Sequence, residues 1–169
     1  MALPEASRPY MPGYGMLPAD EGSGLLPWSW AEQRLVTARN YWLSTAWPDG
    51  RPHMMPVWGM WQDDAFWFSS SNRSRKARNL GSDPRCTVAT GDPENPVVLE
   101  GLAARVTEPD VLQKFLDWEN AKYATDYTLD MVDPNANSCF RVAPLWAFGI
   151  RHDDFTGSPT RWRFSAGRG

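Results

Sequence analysis

The chain has 169 residues, room for one domain with a sizeable core and not comfortably for two. Hydrophobic residues at 42% and charged residues at 22% exclude disorder, collagen and coiled coil. Seventeen basic against 20 acidic residues leave a net charge of −3, which supports no general grip on nucleic acid, and no apolar run approaches the ~18 residues that cross a membrane.

Residues 1–27 carry Pro4, Pro9, Pro12, Pro18 and Pro27 among several glycines, and predict an irregular arm. A helix follows, with Ser29 and Glu32 spaced as a capping box and Ala31, Leu35 and Ala38 on one stripe. Three strands are expected next as an antiparallel meander: Tyr41 to Trp47, Arg51 to Trp61, and Ala65 to Ser70. Pro48-Asp49-Gly50 and Gln62-Asp63-Asp64 supply the turns between them. A short helix runs from near Ser74 to Gly81, and two further strands cover Arg85 to Thr90 and Val97 to Val106. Thr107 and Asp110 are expected to cap a second long helix, from about Glu108 to Tyr123, with Pro109 in its first turn. Strands from Ser138 to Ile150 and from Arg161 to Phe164 complete the chain. Six or seven short antiparallel strands with few helices predict a mainly β fold, a small barrel.

Cys86 and Cys139 lack metal-ligand spacing, as do His53 and His152, so free thiols and no metal site are expected. The beginning of the sequence has no basic-then-apolar order, so the expected address is the cytoplasm. Ten Trp, five Tyr and seven Phe fill a core, with a minority free to stack on a planar ligand.

One segment stands out. Arg73, Arg75, Lys76 and Arg78 place four cations within six residues at the start of a helix, in an otherwise slightly acidic chain. The helix dipole is positive there, and each misplaced cation costs roughly 0.3–1 kcal/mol. A phosphate would offset that cost and satisfy free backbone N–H groups, with Ser69, Ser70 and Ser74 as further donors. The spacing is neither a Walker loop nor a dinucleotide fingerprint.

The order Arg51-Pro52, Phe66-Trp67-Phe68-Ser69, Ser74-Arg75-Lys76-Ala77 and Val97-Val98-Leu99-Glu100-Gly101 resembles the pyridoxamine 5′-phosphate oxidase-like split barrels. That resemblance implies a six-stranded antiparallel split β-barrel with a few peripheral helices, spanning residues 28–169 as a cofactor-binding domain. It also implies a homodimer that binds a flavin-type cofactor at the subunit interface. Arg75 and Lys76 would hold the cofactor phosphate with Ser69, Ser70, Ser74 and Asn79, and Met55, Pro56, Val57 and Trp58 would lie along the ring. Where the oxidases proper carry a further arginine and lysine for FMN, this chain has Met55 and Met60. The tract Arg51 to Gly59 and the Arg-Lys-Ala-Arg-Asn-Leu run look more like the actinobacterial deazaflavin (coenzyme F420) reductases. Fourteen arginines against three lysines fit a GC-rich genome of that kind.

The resemblance therefore implies an oxidoreductase passing a hydride from reduced coenzyme F420 to a conjugated small-molecule substrate. An FMN-dependent oxidase or flavin reductase and a non-catalytic cofactor-binding protein are the alternatives. No catalytic residue is assigned; His53 is either a proton donor or a hydrogen-bonded strand histidine. Strand alternation sends Trp58 to the face opposite His53 and Trp61.

Overall fold

Nine strands and three helices follow one another in a computed structural model that describes residues 3–165. They are β1 (Glu5–Ser7), α1 (Trp28–Thr37), β2 (Tyr41–Ala46), β3 (Pro52–Val57), β4 (Met60–Gln62) and β5 (Ala65–Ser71), then α2 (Arg75–Ser82), β6 (Arg85–Thr90) and β7 (Val97–Val106). α3 (Pro109–Tyr123), β8 (Asn137–Gly149) and β9 (Thr160–Arg163) complete the order, with short 3-10 turns at Leu129–Val132 and His152–Asp154.

All pairings are antiparallel, in the order β1-β9-β8-β7-β6-β2-β3, with β5 on the other part of β8 and β4 beside β5. The thirteen residues of β8 make it the spine: it pairs β7 along its length, β5 near its start and β9 near its end. β3 and β5 do not pair with each other, so the sheet curls without closing. This is a mainly β split barrel with three helices at its periphery. At the bulge between Glu100 and Gly101, a Cβ on Gly101 would come within 2.5 Å of the Ala143 carbonyl, so glycine lets β7 approach β8.

The three-strand meander expected from Tyr41 to Ser70 does not form as such. β2 pairs β3, β4 pairs β5, and the chain breaks at Trp58-Gly59 between them. A Cβ on Gly59 would sit 2.4 Å from Phe66 Cζ and 2.7 Å from the Trp67 carbonyl. The bend thus packs directly on β5, and that contact ends β3. The arm gains a strand that composition did not announce: Glu5, Ala6 and Ser7 pair with Arg163, Trp162 and Arg161. Residues 1–2 of the arm and 166–169 of the expected domain lie outside the described residues.

Two expected caps are not made. α1 begins at Trp28 with Pro27 as its N-cap, and the Glu32 carboxylate accepts from Trp61 Nε1 instead, at 3.3 Å. The Trp28 ring packs edge-on against Trp61, Trp162 and Phe164, and burying it starts the helix one residue ahead of Ser29. α3 is preceded by Glu108 with no side-chain cap, so Thr107 and Asp110 do not act as one. Pro109 fixes the first turn, and the Glu108 carboxylate accepts from the Thr107 N–H.

The core lies in two clusters. The larger gathers Leu35, Tyr41, Leu43, Phe66, Phe68, Val88, Leu99 and Trp162 inside the barrel and beneath α1. The smaller joins Leu112, Phe115 and Leu116 of α3 to Met60, Trp67 and Cys139. Cys86 and Cys139 are buried free thiols, and burial pushes each up to about 12.

Candidate functional site

β5 is apolar from Ala65 to Phe68 and turns hydroxylic at Ser69-Ser70-Ser71, where it leaves the core for the start of α2. Ser74 is the N-cap: its Oγ accepts from the Ala77 N–H at 3.2 Å and from Ser70 Oγ at 2.9 Å. Arg78 N–H closes on the Ser74 carbonyl, while among the described residues the Arg75 and Lys76 N–H groups have no acceptor. No acidic residue stands in the first turn, and none of Arg73, Arg75, Lys76 and Arg78 has a carboxylate partner among the described residues. Arg73 and Arg78 are exposed, whereas Arg75 and Lys76 are half-buried. The Arg75 guanidinium lies 3.6 Å over the Trp47 ring, which also carries Arg51 at 4.4 Å. Burial holds the Lys76 ammonium below the usual lysine range. Two free N–H groups, two half-buried cations and neighbouring hydroxyls fit a phosphate, in both charge and donor chemistry.

Asn79 lies on the opposite, buried side of α2, 1% exposed, and donates through Nδ2 to Thr45 Oγ1 at 3.0 Å. Its Oδ1 is buried without a partner. Thr45 Oγ1 also lies 3.5 Å from His53 Nδ1, across the β2–β3 pair. The connection from α2 to β3 thus runs Asn79–Thr45–His53.

On β3, His53, Met55 and Val57 face the same way as their partners Thr45, Leu43 and Tyr41, all interior residues. Met55 remains 45% exposed because, among the described residues, no strand pairs along the far edge of β3. Pro56 and Met54 point to the outer face, beside Trp42 and Ser44. Trp58 leaves the strand and stacks on Tyr123 of α3, with centroids 4.4 Å apart and planes at 5°. Trp61 goes into the core. Ser70, Ser74, Arg75 and Lys76 therefore gather about the start of α2, whereas Ser69 turns to the other face of β5 opposite Cys139, Asn79 lies on the buried side of the helix and Val57 is in the core; Met55 shares a face with His53, and Pro56 and Trp58 stand apart from both.

Sequence reasoning missed the α3 contribution. Lys122 Nζ donates to Tyr41 Oη and to the Gly59 carbonyl, each at 2.8 Å. Tyr123 Oη accepts from the Gly59 N–H at 2.8 Å and reaches the Arg39 and Gly59 carbonyls at 2.7 and 2.8 Å, one of which takes its proton. Burial, aided by nearby Arg39, lowers Lys122 to about 8; burial first, then Tyr123, raises Tyr41. Burial raises Glu119 to about 7. The signal was available: Leu112, Leu116, Glu119 and Tyr123 continue one helical stripe, which puts a carboxylate and a phenol on the buried face.

Residues 31–150 match the pyridoxamine 5′-phosphate oxidase family. Among solved structures, one named an F420 reductase is 25% identical, with a TM-score of 0.56, and the match covers 67% of this chain and 91% of that one. A conserved hypothetical protein of Mycobacterium tuberculosis is 27% identical with a TM-score of 0.62, over 73% of this chain and 82% of the other. General stress protein 26 of Bacillus anthracis shares the fold at 23% identity and a TM-score of 0.57, over 73% and 92% of the two chains. No curated protein matches the chain.

Proposed function

The chain belongs to the pyridoxamine 5′-phosphate oxidase family, a group of flavin-dependent oxidoreductases, and from that premise we propose that it transfers a hydride from reduced coenzyme F420 to a conjugated small molecule. The observation that carries this reading is the start of α2, with Arg75, Lys76 and two N–H groups free for a phosphate. Both F420 and FMN have such a phosphate, so this site by itself accepts either. Met55, in place of a cation that the oxidases proper direct at FMN, supports the deazaflavin; Met60 is buried against α3. The structure named an F420 reductase, at 25% identity, supports it too.

When bound, the cofactor supplies the hydride chemistry. The chain's own residues do the rest. Arg75 and Lys76 hold the phosphate by charge-assisted bonds, with Ser70 and Ser74 beside them. Trp47 fixes the Arg75 guanidinium in advance, which lowers the ordering cost of binding. The exposed part of the inner face of β3, at Met55, borders the ring. His53 stands on that same face.

Titration of the purified protein with F420 and with FMN tests the reading, and Lys76→Ala tests its physical basis. Each charged hydrogen bond is worth roughly 1.5–3 kcal/mol, so the variant should bind about ten- to a hundredfold more weakly. Lys114→Ala removes the same charge from α3, where Lys114 pairs with exposed Asp63, and should bind as the wild type does. Equal binding by all three proteins would reject the phosphate site. Tight FMN binding without F420 binding would turn the reading to an FMN enzyme.

A further inference from the structure

The residues around the Trp58-Gly59 bend have no part in holding a phosphate, yet they form the most heavily bonded polar cluster next to β3. Both polar groups of the Gly59 peptide unit are taken by α3: the N–H by Tyr123 Oη, and the carbonyl by Lys122 Nζ. Lys122 is itself fixed by Tyr41 Oη, which donates to the Leu35 carbonyl at the end of α1. The Lys122 ammonium sits 4.8 Å from the Tyr41 ring centroid and 5.6 Å from that of Tyr123. Gly59 cannot shift toward β5, because Phe66 and the Trp67 carbonyl already touch it. The Trp58 ring is therefore held flat on Tyr123 from a bend that cannot move, although 43% of its surface is exposed.

Stabilising the fold alone does not require this arrangement. A lysine half-buried with no carboxylate partner, among the described residues, carries a desolvation cost that an apolar residue would avoid. What the ammonium achieves is positional. It ties the end of β3 to α3, whereas α2 packs on β2 and β5.

We propose that Lys122 is a positioning residue for the ring subsite, acting through the Gly59 carbonyl to set where the end of β3 stands. The proposal rests on the reading that β3 borders the cofactor ring. It divides the site in two: α2 holds the phosphate, and the clamp from α3 places the ring wall.

The test compares wild type, Lys122→Met and Lys76→Ala by titration with F420 and FMN, by the visible spectrum of the bound cofactor, and by the rise in melting temperature that inorganic phosphate produces. Lys122→Met should bind cofactor about tenfold more weakly, because the end of β3 loses its anchor, and should shift the bound spectrum. It should keep the full phosphate effect, which Lys76→Ala loses. Wild-type affinity and spectrum in Lys122→Met would overturn the proposal while leaving the cofactor reading intact. So would loss of the phosphate effect in that variant, which would mark a general structural role. Should the wild type bind neither cofactor, the reading fails and the proposal with it. If Lys122→Met does not fold, Tyr123→Phe keeps the stacked ring and removes only the hydroxyl that holds the Gly59 N–H. The same spectral shift and the same retained phosphate effect are expected, and their absence would overturn the proposal.

Discussion

Glu119 shows what one buried ionisable side chain does to the fold. It lies on the core side of α3, 6% exposed, near Cys139 and Tyr123, and burial raises its carboxyl to about 7. The unfolded chain releases that proton near the ordinary value of 4.5, whereas the folded chain keeps it to about 7. Between those values the folded state binds more protons, so the stability from this group falls as pH rises and stays low above 7. At ~1.36 kcal/mol per pKa unit the loss is about 3 kcal/mol. Glu119→Gln removes the charge and nearly keeps the shape. Its advantage over wild type in urea unfolding should be small near pH 4.5, grow toward pH 7, and level off beyond. A constant difference across that range would show that the carboxyl does not titrate in the fold as argued. Lys122 works in the other direction, since a folded value near 8 makes its burial costly below that pH and less so above it.

At the level of elements, the strands were legible where burial alternates and the helices where a stripe repeats. β2 reads Tyr41, Leu43 and Thr45 inward, and α3 reads Leu112, Phe115 and Leu116 inward, and both lie where the pattern puts them. The basic start of α2 was legible for a different reason, because four cations at a positive helix end conflict with local electrostatics unless something else binds there. What the pattern could not show was long-range contact. Nothing in Met60–Gln62 says that it pairs β5 alone, and nothing near Ser70 says that β5 joins β8, some 70 positions away. The Gly59 bend looked like mid-strand because its cause is Phe66 pressing on it. Helix caps failed similarly: the Ser29–Glu32 spacing was correct, but buried Trp28 moved the helix start. Two serines can measure that lesson. Ser74→Ala removes a cap that is made and should cost about 0.5–2 kcal/mol, whereas Ser29→Ala removes one that is not made and should stay within about 0.5 kcal/mol. Chemical denaturation of both variants checks this, and equal losses would contradict the assigned helix start.

For the molecule as a whole, the open side of the barrel poses the main physical problem. The outer face of the β2–β3 pair places Trp42 opposite Pro56 and Ser44 opposite Met54, and leaves Trp42 44% and Met54 60% exposed. Leu102 and Leu145, farther along the sheet, are also exposed. The far edge of β3 has unpaired backbone groups, and Met55 next to it is exposed although it faces inward. Single exposed apolar side chains need no explanation, but a row of them along an open strand edge favours association. A second copy of the chain meets the need economically, since a two-fold interface uses the same patch on both partners and would shelter the site from water. The homodimer implied by the family resemblance thus has a physical motive here. Sedimentation at micromolar concentration should give a species twice the 19.1 kDa of one chain. Met54→Glu puts a charge in the centre of the exposed row and should shift the equilibrium toward monomer. It lies on the outer face of β3, away from Met55 and His53, so folding should survive the change. Cofactor affinity should fall together with the dimer, because β3 would then face solvent. A wild-type protein that sediments as one chain while binding cofactor tightly would show that the groove is complete within a single barrel.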